Sequence, residues 1–229
     1  MDLLKSYILI FFIYSFLGWV LETTLQSIVN KRFVDRGFLI GPICPIYGVA
    51  VILISVLLKR YENDVIATFF LSTILCGAVE YSTSYIMEKI FKARWWDYSD
   101  KKYNINGRIC LEFLFCFGIG CTLAVFVFNP IIKELISFIP NTFKNLSIIV
   151  LLIVFVIDIF LSSKIVSNLK RVSTEIKDNT IEISDRVRKI ISSESTFYKR
   201  LVNAFPDIKE KVDFKKWPKL SKAFQKKEK

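Results

Sequence analysis

Histidine is absent from all 229 residues. Without the commonest general base and metal ligand, Ser-His or Cys-His nucleophilic catalysis and the usual zinc sites have no starting point. Neither G-x-x-x-x-G-K-[ST] nor a strand-borne G-x-G-x-x-G occurs, so the familiar phosphate cradles are missing as well. If ATP drives this protein, another polypeptide binds it. The five cysteines, Cys44, Cys76, Cys110, Cys116 and Cys121, make no C-x-x-C pair. All fall within or at the ends of apolar runs, where cysteine behaves as a small hydrophobe, and they read as packing residues. No cofactor and no metal is expected.

What the chain has in excess is apolar surface. Hydrophobic residues make up 53% of it, with 21 Phe and a mean hydropathy of +0.43, more than a soluble domain of this size buries. Runs of about twenty apolar residues, the length that crosses a bilayer, occupy 7–28, 38–58, 65–90, 109–128 and 146–166. They predict an all-α membrane protein, a bundle of five transmembrane helices over residues 1–168. The first run is too long for a signal-peptide core, and no small-residue cleavage site precedes Glu22.

Basic residues are retained on the cytoplasmic side. Lys31, Arg32 and Arg36 follow the first run, and Lys89, Lys92, Arg94, Lys101, Lys102 and Arg108 lie between the third and fourth. Their placement puts the N-terminus outside and the C-terminus inside, in a multi-pass membrane protein.

Acidic residues inside such runs are the informative exceptions. A carboxylate at the centre of a spanning helix costs roughly 2.5 to 3.5 kcal/mol on insertion scales, so it faces a bundle interior or a wet cavity. Glu22, Glu80, Glu88, Glu112 and Asp158 all gather in the cytoplasmic leaflet under this orientation, level with Arg36 and Arg108. Helical spacing places Ser15, Gly18, Glu22, Gln26 and Asn30 on one line and Cys76, Glu80, Ser84 and Glu88 on another. Such stripes either line a cytoplasm-open cavity or join helices by hydrogen bonds and small-residue contacts; hydroxyls suffice for the second task, which favours the first.

Two connecting segments are unlike simple loops. Residues 37–48, GFLIGPICPIYG, place Pro42 and Pro45 where the second run begins, which breaks, kinks or caps the helix there. Residues 93–112 mix Trp95, Trp96 and Tyr98 with Asp97, Asn104, Asn106 and Arg108. The tryptophans suit the membrane interface. The polar geometry of Asp97, Asn106 and Arg108 is not something lipid demands. Arg108 has the fork to hold a phosphate or carboxylate, or to pair with Glu112 one turn on. A faint repeat links Gly18 to Glu22, a basic loop and Arg36-Gly37 with Gly77 to Glu80, a basic loop and Asn106-Gly107, in the parallel manner some transporters use.

The blocks YSFLGWVLE (14–22), GFLIGPICPIYG (37–48), RWWDYSD (94–100) and NINGR (104–108) together resemble the putative ABC-transporter type IV, or CmpB-like permease, family of Firmicutes. The resemblance covers about residues 5–170 and implies a multi-helix permease of the bacterial plasma membrane, working alone or with a separate ATP-binding subunit. It brings no substrate with it.

Beyond the bundle, residues 164–229 hold 18 of the 32 basic residues and nine acids. Ile165, Leu169, Val172, Ile176 and Ile183 recur at helical spacing, so residues 169–229 read as a cytoplasmic amphipathic helical tail. Its lysines, interleaved with Phe214, Trp217 and Phe224, suit anionic lipid better than nucleic acid; a second copy of the chain is another surface it could meet. The sequence thus favours transport of a small polar or cationic solute, with Glu22, Arg36, Glu80, Glu88, Asp97, Asn106, Arg108, Glu112 and Asp158 as candidate binding residues. Two other classes stay open: an intramembrane enzyme acting on a lipid headgroup, with Glu80 or Asp97 as base, and a sensor or scaffold working through its tail.

Overall fold

A computed structural model describes residues 2–91 and 95–175. Lipid offers no hydrogen bonds to an open backbone, so a spanning segment must close its own N–H and C=O groups, and helix follows. In chain order come α1 (Asp2–Asn30), α2 (Pro45–Leu57), a 3-10 turn (Lys59–Tyr61), α3 (Val65–Phe91), the two-residue strands β1 (Asn104–Ile105) and β2 (Ile109–Cys110), α4 (Leu111–Leu123), a π turn (Ala124–Phe128), α5 (Asn129–Ser137) and α6 (Asn141–Glu175).

Among the described residues four helices are long and apolar enough to cross a membrane: Leu3–Asn30, Val65–Phe91, Leu111–Ser137 and Asn141–Lys164. The run expected at 38–58 is helical only over the 13 residues of α2. At 1.5 Å per residue that is about 20 Å, short of a hydrocarbon core of about 30 Å. The cause is local. Pro42 and Pro45 each lack an N–H, Pro45 opens the helix as its first residue, and residues 37–44 run into it without helical bonds.

The fourth span differs in the opposite direction. It continues past Phe128 to Ser137 because the π turn carries α4 into α5. Pro130 has no N–H to offer and its ring crowds the preceding turn, and a widened turn just before it relieves both problems. Only residues 138–140 then separate it from α6. The tail expected at 169–229 is seen as helix to Glu175; residues 176–229, and Arg94 in the basic loop, lie outside the described residues.

Helix α1 packs chiefly on α2, and α3 on α4, with α2 against α3 and α6 against α1 closing the group. Glycine sets the first of these distances. A Cβ on Gly18 would fall 2.3 Å from the Tyr47 ring, and one on Gly48 would fall 2.4 Å from Ser15 Oγ, so the two backbones approach as only small residues allow. Leu9, Ile10 and Tyr14 of α1 meet Val51, Ala124, Ile132 and Ile148 in the largest apolar cluster. Within it the Tyr14 hydroxyl donates to Asn129 Oδ1 (2.9 Å), and Asn129 Nδ2 donates to Ser55 Oγ (3.1 Å), tying α1 and α2 to the start of α5.

Candidate functional site

The segment after α1 folds back along the helix it leaves. Trp19 Nε1 donates to Asp35 Oδ1 (2.7 Å), the Val34 amide to Ser27 Oγ (3.0 Å) and the Arg36 amide to Thr23 Oγ1 (3.3 Å). This return brings Arg36 Nε to 3.9 Å from Glu22 Oε2. Two residues of the loop are then held from across the bundle, where Asp158 accepts from the amides of Ile40 and Gly41, at 2.8 Å each. Ser162 Oγ donates to the same carboxylate at 2.9 Å. Asp158 is thereby the acceptor for a stretch of backbone that has no helix to satisfy it. With the loop fixed, Pro45 starts α2, and the Tyr47 hydroxyl donates to Glu22 Oε1 at 2.6 Å.

The connection between α3 and α4 is built differently. Asn106 and Gly107 have φ of 53° and 65°, the paired left-handed residues of a type I′ turn, which is why Asn-Gly sits between two antiparallel strands here. Register pairs Asn104 with Cys110 and Ile105 with Ile109. Arg108 latches this hairpin to α3. Its Nη1 donates to Glu88 Oε2 at 2.6 Å, and its guanidinium lies 5.6 Å and 5.4 Å from the ring centres of Tyr81 and Tyr85. Asn106 Nδ2 adds a bond to the Tyr81 hydroxyl (3.0 Å). The Tyr98 amide donates to Gly107 O (2.8 Å), and the Tyr98 ring stacks on Phe113 with centroids 4.9 Å apart. So held, the Tyr98 hydroxyl donates to Glu80 Oε1 at 3.2 Å. Burial, and then the Glu80 charge, push the Tyr98 phenol above its ordinary pKa, which keeps it a neutral donor.

Two Tyr–Glu pairs therefore stand close to one another. The Glu22 charge also reaches the Tyr98 hydroxyl, so the second pair lies in the neighbourhood of the first. Arg36 is near Glu22, but Glu80 is only 5% exposed and its Oε2 has no hydrogen-bond partner among the described residues. The bare oxygen is the chemically open position of the cluster.

The nine residues singled out from sequence thus separate into groups. Glu22, Arg36 and Glu80 come together. Glu88, Asn106 and Arg108 form the hairpin latch, so Arg108 pairs with Glu88 of α3 and not with Glu112. Glu112 instead meets Lys101 at 3.3 Å on the exposed side. Asp97 accepts from the amide and hydroxyl of Ser99 within its own turn, and Asp158 holds the loop. A cavity of about 210 Å³ lies at the other ends of α2 and α3, among Ile54, Ser55, Lys59, Thr68, Asn129 and Lys133, and none of the nine lines it. Sequence reasoning passed over Tyr47, Tyr81 and Tyr85 altogether and gave Tyr98 no role of its own. The Asn-Gly pair in NINGR was the legible sign that the second loop is a structured hairpin.

A profile of the family described as Putative ABC-transporter type IV matches residues 9–163. No curated protein and no solved structure matches the chain. The matched stretch contains both Tyr–Glu pairs, the hairpin and Asp158, and the four apolar helices make a multi-pass membrane protein. With well over half of its length inside that match, the chain belongs to the Putative ABC-transporter type IV family.

Proposed function

We propose that this chain is a plasma-membrane permease that moves a small polar or cationic solute, that Glu80 and Glu22 form its binding centre, and that a separate subunit binds the ATP. One observation carries the reading: a carboxylate oxygen of Glu80 is buried with no hydrogen-bond partner among the described residues. Leaving a buried acceptor open costs about 1 to 3 kcal/mol, more where it is charged. A cation or a proton would supply what that oxygen lacks, and ionisable groups at such depth mark ion and solute pathways. Family membership and the four apolar helices support the transport class; the absence of a phosphate-binding motif in the sequence supports a partner for ATP.

Under the orientation that the basic loops imply, Glu22 and Glu80 lie toward the cytoplasm and the cavity beside Lys59 and Lys133 opens outside. The first span then runs inward, and α2 with the non-helical residues 37–44 completes a fifth, broken crossing. Non-helical backbone at that depth is tolerated where protein covers it, and Asp158 supports the reading by accepting the Ile40 and Gly41 amides.

The test compares cells with and without the chain. Mass spectrometry of their soluble contents is expected to show one small polar or cationic solute changed, with the lipid headgroup profile unaltered. A changed headgroup profile with unchanged solutes would replace the permease reading with an enzyme acting on lipid.

A further inference from the structure

We propose that Cys76 and Cys121 are a redox-active dithiol that closes reversibly to a disulfide and pins α3 to α4. Their sulfurs are 3.2 Å apart across the helix interface. Both are buried, at 6% and 9% exposure, in an apolar cluster with Ile54. Glycine lets the two helices come this close: a Cβ on Gly118 would fall 2.1 Å from Thr73 Oγ1, and one on Gly77 would fall 2.7 Å from Leu114 Cδ2. A disulfide measures about 2.05 Å between sulfurs and needs its two backbones within about 7 Å, so a shift of about 1.2 Å in side-chain position makes the bond. Among the described residues no third His, Cys, Asp or Glu joins the pair into a metal-binding group.

The oxidant is a peroxide, small and neutral enough to enter the bilayer. Peroxide oxidises one thiol to a sulfenic acid and leaves as water. The second sulfur then attacks the first, its proton joining the departing hydroxide, so that two thiols and one peroxide give one disulfide and two waters. Cys76 lies one turn before Glu80 on α3, and the bond fixes this part of α3 against α4. In the reduced state only van der Waals contact and a weak S–H···S bond hold the same place.

The test needs no assumption about transport. The full chain in its native membrane is exposed to hydrogen peroxide, denatured in excess maleimide and weighed. The expected product keeps three of its five thiols, has lost two hydrogens, and yields on proteolysis a fragment joining Cys76 to Cys121 that dithiothreitol separates. Cys76→Ser or Cys121→Ser abolishes the bridge, and Cys116→Ser at an exposed position leaves it intact. Five reactive thiols after peroxide, oxygen added to a single sulfur without bridging, or a bridge through another pair would each overturn the assignment.

Discussion

Each acid in the apolar spans has a different neighbour, and the neighbour decides its role. Asp158 already accepts two amides and a hydroxyl, so its task is to hold the loop before α2. Asp158→Asn keeps the shape but loses the charge and turns a donor toward one of those amides; a loss of about 1.5 to 3 kcal/mol is expected, read as earlier thermal aggregation of the detergent-purified chain. An unchanged transition would show that the loop is held by other contacts. Glu80 is the opposite case, because among the described residues Tyr98 alone donates a hydrogen bond to its carboxylate. From sequence both residues are simply carboxylates in hydrocarbon. Depth and helical spacing placed Glu22 and Glu80 on inward stripes, but which partner each would meet depended on loop geometry that a linear pattern does not encode.

At the scale of elements, the connections carry as much of the site as the helices. Tyr47 comes from the first turn of α2, just after an irregular segment, and Tyr98 from within one, and each reaches a glutamate on the long helix that precedes it. In each half, a glycine three or four positions before the glutamate packs on a residue of the next helix, Gly18 on Tyr47 of α2 and Gly77 on Leu114 of α4. Helix existence was legible from apolar length, since lipid leaves no alternative. The extent of α2 was not, because hydrophobicity stays high through residues 38–44 while two prolines withhold the bonds a helix needs. Gly18→Val places two methyl groups where the Tyr47 ring lies. Overpacking of this kind costs about 1 to 3 kcal/mol, and here it also moves a hydroxyl off Glu22. The expected signature is a change in Tyr47 hydroxyl environment by vibrational spectroscopy with α-helix content preserved; an unshifted Tyr47 signal would mean that the α1–α2 contact yields without disturbing the pair.

For the whole molecule, the arrangement of the two ends is the consequence that matters. Polar groups with open valence collect where the basic loops are, and the cavity beside Lys59 and Lys133 lies at the far ends of α2 and α3. The proposed outside N-terminus would place Asn63 and Thr142 on the exterior. Cysteine substituted at Asn63 or Thr142 in a chain whose native cysteines are replaced by alanine is expected to react with a membrane-impermeant maleimide on intact cells. Reaction of neither, with both labelled after lysis, would reverse the orientation and move the Tyr–Glu cluster to the outside. The family itself was recognisable from four blocks in order, which hold Glu22, the loop before α2 and the hairpin before α4.

The central claim is that the unpartnered Glu80 oxygen belongs to the transport site. Glu80→Gln tests it most directly, since it keeps the Tyr98 contact available and removes only the charge. Uptake of the solute identified by cell profiling is expected to fall at least about tenfold, a barrier change of about 1.4 kcal/mol, with the variant inserted and assembled at the wild-type level. Undiminished uptake by a properly assembled Glu80→Gln protein would contradict the account.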